Sequence, residues 1–277
     1  MIEQILHRIF YALLSGLTQV LPVSAQAHER LYAHLLNFDD ADPWLRVASI
    51  LGAALGIVFM LRGTLHHVFR ENRHHRNTRN SKSHPSDTAA VNTMNLCKTA
   101  LIILLPSMLA AGYVSQWISD LILLAIMLLV NGFVLFIPRL FASGDKNSLS
   151  MTPLDSLLVG LAGVFGLLPG ISRLGMMASA ATLRGIRKEF SVDFLLLVMV
   201  LPLLAWALFC SIGAFFFDAA LETGMVIGDI LAFVTSFAGA CAGVWLLRKI
   251  VKYKDFSVFS FYSWGAAVVA FVLYLIF

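Results

Sequence analysis

Two short stretches of this chain set polar side chains among residues that are otherwise apolar. The first runs Gly16-Leu17-Thr18-Gln19-Val20-Leu21-Pro22-Val23-Ser24, with Ser15 before it and Ala25, Gln26 and His28 after it. The second runs Gly166-Leu167-Leu168-Pro169-Gly170-Ile171-Ser172-Arg173. Polar groups inside a membrane are costly to bury and are functional candidates by default. Arg173 stands out. It follows Pro169 and Gly170, where a helix must break, and free N–H groups at the start of the next half-helix favour an anion. A guanidinium beside such groups makes a phosphate seat. The plainer alternative is an arginine paired with carbonyls or with a structural carboxylate. His28 has two readings of equal weight: a nucleophile or general acid toward a phosphoryl group, or a neutral histidine holding a hydrogen bond. Ser24 and Ser172 either contact phosphate or cap half-helices, and for Ser172 phosphate contact is slightly favoured.

Carboxylates are scarce in the same stretches. Glu3, Glu29, Asp120, Asp155, Glu189, Asp193 and Asp229 are the only acids in or beside apolar segments, and none lies at the first tip itself. Ser15 and Gln19 stand where a metal-dependent site would want acids.

The composition explains what positions these residues. Of 277 residues 59% are apolar and 13% are charged, with a mean hydropathy of +0.82. A soluble domain is nearer a quarter charged, so an ordinary cytosolic enzyme, a disordered chain and a disulfide-stapled secreted module are excluded. A net charge of +4, spread along the chain, gives no reason to expect nucleic acid. Cys97, Cys210 and Cys241 have no metal or disulfide spacing and read as packing residues. No cleavable signal peptide is evident. A helical span needs about 20 apolar residues. Six stretches qualify, at about 44–62, 95–115, 118–138, 190–215, 226–248 and 256–277. Two more, at about 5–33 and 154–186, are apolar but broken by Pro22 and Pro169. Broken backbone survives in a membrane only where protein or a water-filled cavity surrounds it, so both are expected to be re-entrant helix hairpins.

The expected fold is therefore an all-α polytopic membrane protein. One integral membrane domain fills residues 1–277, built from two inverted repeats with six transmembrane helices and two re-entrant helix hairpins. The repeats cover residues 1–138 and 150–277. Interrupted segments at matching places in two repeats point to a binding site at the midplane. A polar loop at about 63–94 and its flanks hold Arg62, Arg70, Arg73, Arg76, Arg79, Lys82 and Lys98. Arg139, Lys146, Arg184, Arg187, Lys188, Arg248, Lys249, Lys252 and Lys254 fall on the same side if each hairpin returns to the side it entered. Asp39, Asp40, Asp42, Asp218 and Glu222 fall on the other. The basic side is expected to be cytoplasmic. The His-rich part of that loop (His66, His67, His74, His75, His84) reads as a solvated, partly disordered loop beside anionic lipid rather than a metal site.

The motifs resemble the undecaprenyl-diphosphate phosphatase family, also called the bacitracin-resistance (BacA) family. Its first motif reads approximately E-G-L-T-E-F-L-P-V-S-S-T-G-H, against Ser15 through His28 here, and its second reads P-G-x-S-R-S-G, against Pro169 through Gly175. Further echoes run from Gly185 to Phe194 and from Phe256 to Tyr262. The resemblance covers essentially the whole chain. It implies a multi-pass protein of the bacterial inner (cytoplasmic) membrane, acting on undecaprenyl diphosphate to recycle the lipid carrier of peptidoglycan and other envelope polymers. It implies phosphate binding by Ser24, Gly170, Ser172 and Arg173, with His28 as a catalytic residue. It also implies Mg²⁺ or Ca²⁺, but the family's two motif glutamates are Ser15 and Gln19 here and its serine nucleophile is Ala25. Two negative charges are lost, so metal binding is expected to be weakened and no metal ligand is assigned. Glu29 could stand in for a lost acid, but one residue past His28 its side chain is expected to point elsewhere. The expected function is handling of polyprenyl phosphate or diphosphate with impaired hydrolysis. A fully active phosphatase releasing inorganic phosphate and an undecaprenyl-phosphate translocase are the alternatives. A small-anion transporter fits the resemblance less well. The partners expected are that lipid and membrane lipids, with no nucleic acid, and a homo-oligomer stays open.

Overall fold

The computed structural model describes residues 2–36, 38, 42–77, 85–117, 120–141, 144–216 and 223–276. Asp39, Asp40, Arg79, Lys82, His84, Asp218 and Glu222, used above for orientation, lie outside them, as do the side chains of His74, His75 and Arg76. Eleven α-helices are described: α1 (Ile2–Gln19), α2 (Ala25–Leu35), α3 (Pro43–Met60), α4 (Arg62–Asn77), α5 (Pro85–Trp117), α6 (Leu121–Phe136), α7 (Pro153–Val164), α8 (Arg173–Leu183), α9 (Lys188–Phe216), α10 (Thr223–Tyr253) and α11 (Val258–Ile276). Among the described residues six helices are long and apolar enough to cross a membrane. They are Pro43–Met60, Thr88–Ala111, Leu121–Leu140, Lys188–Phe216, Val226–Tyr253 and Val258–Ile276, the six segments read from the sequence. The chain is an all-helical, multi-pass membrane protein.

The stretch 63–94 departs from the expected loop. Helix α4 fills its first part and α5 begins at Pro85. Val68 is buried and Leu65 packs against the main core. These two apolar residues at helical spacing give the polar segment one face to seat.

In lipid, helices associate through close van der Waals packing, so small residues set how near they come. Helix α1 lies on α10 and α7 lies on α5; α3 contacts both α9 and α10, and α9 contacts α5. At Gly16 a Cβ would stand 2.1 Å from the Ser236 carbonyl oxygen. Only glycine lets α1 approach α10 that closely.

Helices α1 and α2 start and finish at one end of the molecule. His7 Nδ1 lies 3.1 Å from the Tyr32 hydroxyl, and Arg8, buried, pairs with Asp42 at the start of α3 and with Asp229 on α10. Helices α7 and α8 start and finish at another. There Asp155, fully buried, accepts from Lys146 Nζ at 3.0 Å and Arg184 Nε at 2.6 Å. Thr152 and Asp155 also form a capping box that starts α7. Burial alone would push the Asp155 carboxyl up. The Thr152 backbone N–H, Lys146 and Arg184 together outweigh it and hold the carboxyl well below the ordinary carboxylate range.

Candidate functional site

Between α1 and α2 the chain turns through Val20-Leu21-Pro22-Val23 and reaches Ser24. Ser24 has φ +50°, the one positive φ among the described non-glycine residues. An L-residue holds that backbone only where its surroundings impose it. The Ser24 hydroxyl does not cap α2. Its Oγ instead accepts the Gly170 N–H at 3.2 Å, tying the first break to the second. Gly170 has φ +96°, and a Cβ there would stand 2.5 Å from the Cβ of Met127 on α6, so glycine serves both backbone and fit.

Between α7 and α8 a short 3₁₀ turn, Phe165–Leu167, leads into Leu168-Pro169-Gly170-Ile171. Ser172 then caps α8, its Oγ accepting the Gly175 N–H at 3.1 Å. The Ser172 N–H donates to Asn131 Oδ1 at 2.8 Å. Asn131, fully buried on α6, donates through Nδ2 to the Ser263 hydroxyl at 2.9 Å and to the Pro22 carbonyl at 3.5 Å. One amide thus bridges both breaks. Asn131 is not among the candidates taken from the two broken stretches, although an asparagine inside an apolar span carries the same signal of function.

Both breaks face a cavity of about 1260 Å³. From the first come Thr18, Gln19, Ser24, Ala25, Glu29 and Arg30; from the second, Gly166, Ser172 and Arg173; from α3, Arg46. Arg173 opens α8. Its Nε is buried without a hydrogen-bond partner, and no ion pair joins it to a described carboxylate. The N–H groups of Arg173 and Leu174 belong to the first turn of α8, where no intrahelical acceptor exists, and both residues line the cavity. Gly170 itself is engaged by Ser24 and is not part of the lining.

His28 is buried and is not part of the lining either. Its Nδ1 sits 2.8 Å from the Ser24 carbonyl oxygen and its Nε2 2.7 Å from the Tyr262 hydroxyl. Its ring stacks on Tyr262 with centroids 5.5 Å apart. Glu29, expected to point elsewhere, instead lines the cavity, and the fully buried Ser15 donates to its Oε1 at 2.6 Å. Consecutive residues on an α-helix diverge by about 100°. With His28 turned to α11, the next side chain is carried round to α1 and the cavity. Arg30 and Arg46 lie close enough for their charge to act on Glu29.

The donor set does not suit a hard divalent cation. Mg²⁺ and Ca²⁺ want several oxygen ligands, carboxylates foremost. Glu29 is already bonded to Ser15 and flanked by arginines, Ser15 and Gln19 bring no charge, and among the described residues no three His, Cys, Asp or Glu side chains converge.

These features define a class: a helical membrane protein in which two broken helix pairs meet at one basic cavity. The comparisons make it particular. The family profile described as Bacitracin resistance protein BacA matches residues 8–269. An "Undecaprenyl-diphosphatase" of Neisseria gonorrhoeae (strain ATCC 700825 / FA 1090) is 23% identical over 279 residues, covering 98% of this chain and 96% of the relative. Proteins of the same name from Cereibacter sphaeroides (strain ATCC 17025 / ATH 2.4.3) and Paracoccus denitrificans (strain Pd 1222) are 28% and 27% identical. They cover 93% and 91% of this chain, and are themselves covered to 91% and 89%. The chain belongs to the bacitracin-resistance (BacA) family.

Proposed function

We propose that this protein binds the diphosphate head group of a polyprenyl lipid, undecaprenyl diphosphate, in the cavity between the two breaks. Hydrolysis there is slower than in relatives that keep both motif glutamates. The observation that carries the reading is Arg173: a guanidinium at the start of a half-helix, lining the cavity, its buried Nε without a hydrogen-bond partner and with no ion pair to a carboxylate among the described residues. Arg173 and the first-turn N–H groups of α8 present convergent donors to a phosphate. Ser24, Ser172 and Gly170 shape this seat, since their polar groups are spent holding the breaks together and capping α8. His28 supports Ser24 from behind. The losses at Ser15, Gln19 and Ala25 remove groups that would act in the transition state, and such losses commonly cost several kcal/mol.

The helix contacts support the inverted-repeat reading. Exchanging α1, α3, α5 and α6 with α7, α9, α10 and α11 maps α1 on α10 to α7 on α5, and α3 on α10 to α9 on α5. The broken pairs then read as re-entrant hairpins in a bacterial inner membrane, with 1–138 and 150–277 as the repeats. That symmetry is also what favours a second reading, a translocase for undecaprenyl phosphate.

The test uses purified protein and undecaprenyl diphosphate, measuring lipid binding and inorganic phosphate release. Wild-type protein is expected to bind and to release phosphate slowly. Arg173→Ala should weaken binding by about 10- to 100-fold, the worth of a charge-assisted hydrogen bond. Binding unchanged by that substitution overturns the reading. Binding retained with no phosphate release, together with lipid movement across proteoliposomes, puts the translocase in its place.

A further inference from the structure

We infer that Glu29, held by Ser15, is the general base of the cavity, accepting the proton of the water that attacks the terminal phosphorus. The inference rests on the head-group reading above. It starts from the placement of three side chains. Glu29 lines the cavity that Arg173 lines, and its carboxylate accepts the Ser15 hydroxyl at 2.6 Å. His28, the group of matching chemistry one residue earlier, has both ring nitrogens engaged, at Ser24 and Tyr262, and stands outside the cavity. Asp120, the other described carboxylate on the lining, is exposed at the start of α6 and lies on neither break.

A carboxylate has about four acceptor sites, so the bond from Ser15 fixes its orientation and leaves room for a water. Burial is the larger influence on this carboxyl and works against its charge, which suits a group that must take up a proton. Ser15, Arg46, Tyr11 and Arg30 act the other way and offset part of that cost. In the step itself, a lone pair of the water oxygen forms a bond to the terminal phosphorus. The bond from that phosphorus to the bridging oxygen breaks and its electron pair stays on the bridging oxygen. Undecaprenyl phosphate leaves and inorganic phosphate forms. Glu29 takes the water's proton and passes it to solvent or to the departing phosphate. Arg173 and the α8 N–H groups balance the charge on the phosphoryl oxygens. No redox partner enters, and the step is routed through no metal ion.

Residues 15 and 29 face each other across the α1–α2 turn. A carboxylate can therefore reach the same point from either helix, which gives the test its control. Phosphate release from undecaprenyl diphosphate is followed against pH, with lipid binding measured separately on each variant. Wild-type kcat should rise with pH through a single ionisation. Glu29→Gln should lower kcat by about 100-fold or more and remove that ionisation, while lipid affinity stays within about threefold, as expected for a group that acts on the water rather than holding the lipid. Glu29→Asp should recover part of the rate. The exchange Ser15→Glu/Glu29→Ser should restore both turnover and the ionisation. Glu29→Gln turning over like wild type with its acid limb intact overturns the inference, as does an exchange variant that binds lipid and stays inactive. Wild-type protein that binds lipid and releases no phosphate also overturns it, while leaving the head-group reading standing.

Discussion

His28 is held at both ring nitrogens. Nδ1 donates to the carbonyl of Ser24, the residue with φ +50°, and Nε2 meets Tyr262 on α11. The ring braces a strained turn against another helix. Tyr262→Phe keeps the stacked ring and loses one hydrogen bond, so it should cost about 1 kcal/mol of stability and less than a tenfold change in turnover. His28→Ala removes both bonds and leaves a cavity, and should cost about 3 kcal/mol. Thermal unfolding of the purified protein, paired with phosphate release, separates the cases. A Tyr262→Phe protein that is stable and inactive would show that the histidine works in the chemistry through that hydroxyl. The sequence makes the polar residues visible and leaves their directions open. Arg173 is legible because a lone arginine after Pro-Gly in an apolar run has few structural uses. The choice between His28 and Glu29 is not, because it depends on how α2 is rotated, which α1 and α11 decide from outside the motif.

Asn131 connects elements that are far apart in the chain. Its amide accepts from Ser172 at the second break and reaches Pro22 at the first, from the middle of α6. Two broken backbones in an apolar setting carry N–H and C=O groups that water cannot satisfy, and this side chain satisfies one from each. Asn131→Leu has similar bulk and no polar group. It leaves the Ser172 N–H unpaired and should destabilise the protein by about 2–3 kcal/mol. It should also weaken lipid binding more than Tyr262→Phe does, because it frees the turn that presents Arg173. Equal lipid affinity in Asn131→Leu and wild type would show that the seat needs no such tie. Elements of this kind are only half legible beforehand. The six spans announce themselves by length and hydropathy, and the two breaks by proline. Helix α4 does not, since its support is two apolar residues, Leu65 and Val68, whose partners lie elsewhere in the chain.

The two ends of the molecule differ in the charge they bury. At the end where α1 starts, a buried arginine, Arg8, is held between Asp42 and Asp229. At the end where α7 starts, a buried aspartate, Asp155, is held between Lys146 and Arg184. The second end also joins Lys188 to the Lys254 carbonyl, beside Arg187, Lys249 and Lys252 in the chain. Basic residues accumulate on the cytoplasmic side of bacterial membrane proteins. The α7 end should therefore face the cytoplasm, with the Arg8 cluster outside and the cavity reached by two broken pairs of opposite direction. Leu36→Cys, at the exposed end of α2, and Arg187→Cys, at an exposed site before α9, report the two ends. In a background with Cys97, Cys210 and Cys241 replaced by alanine, a membrane-impermeant maleimide added to intact cells should label the first. It should reach the second only after the membrane is opened. The reverse pattern would turn the molecule over. The lipid head group would then meet the cavity from the other face, and the charge asymmetry of the two clusters would need a cause other than insertion.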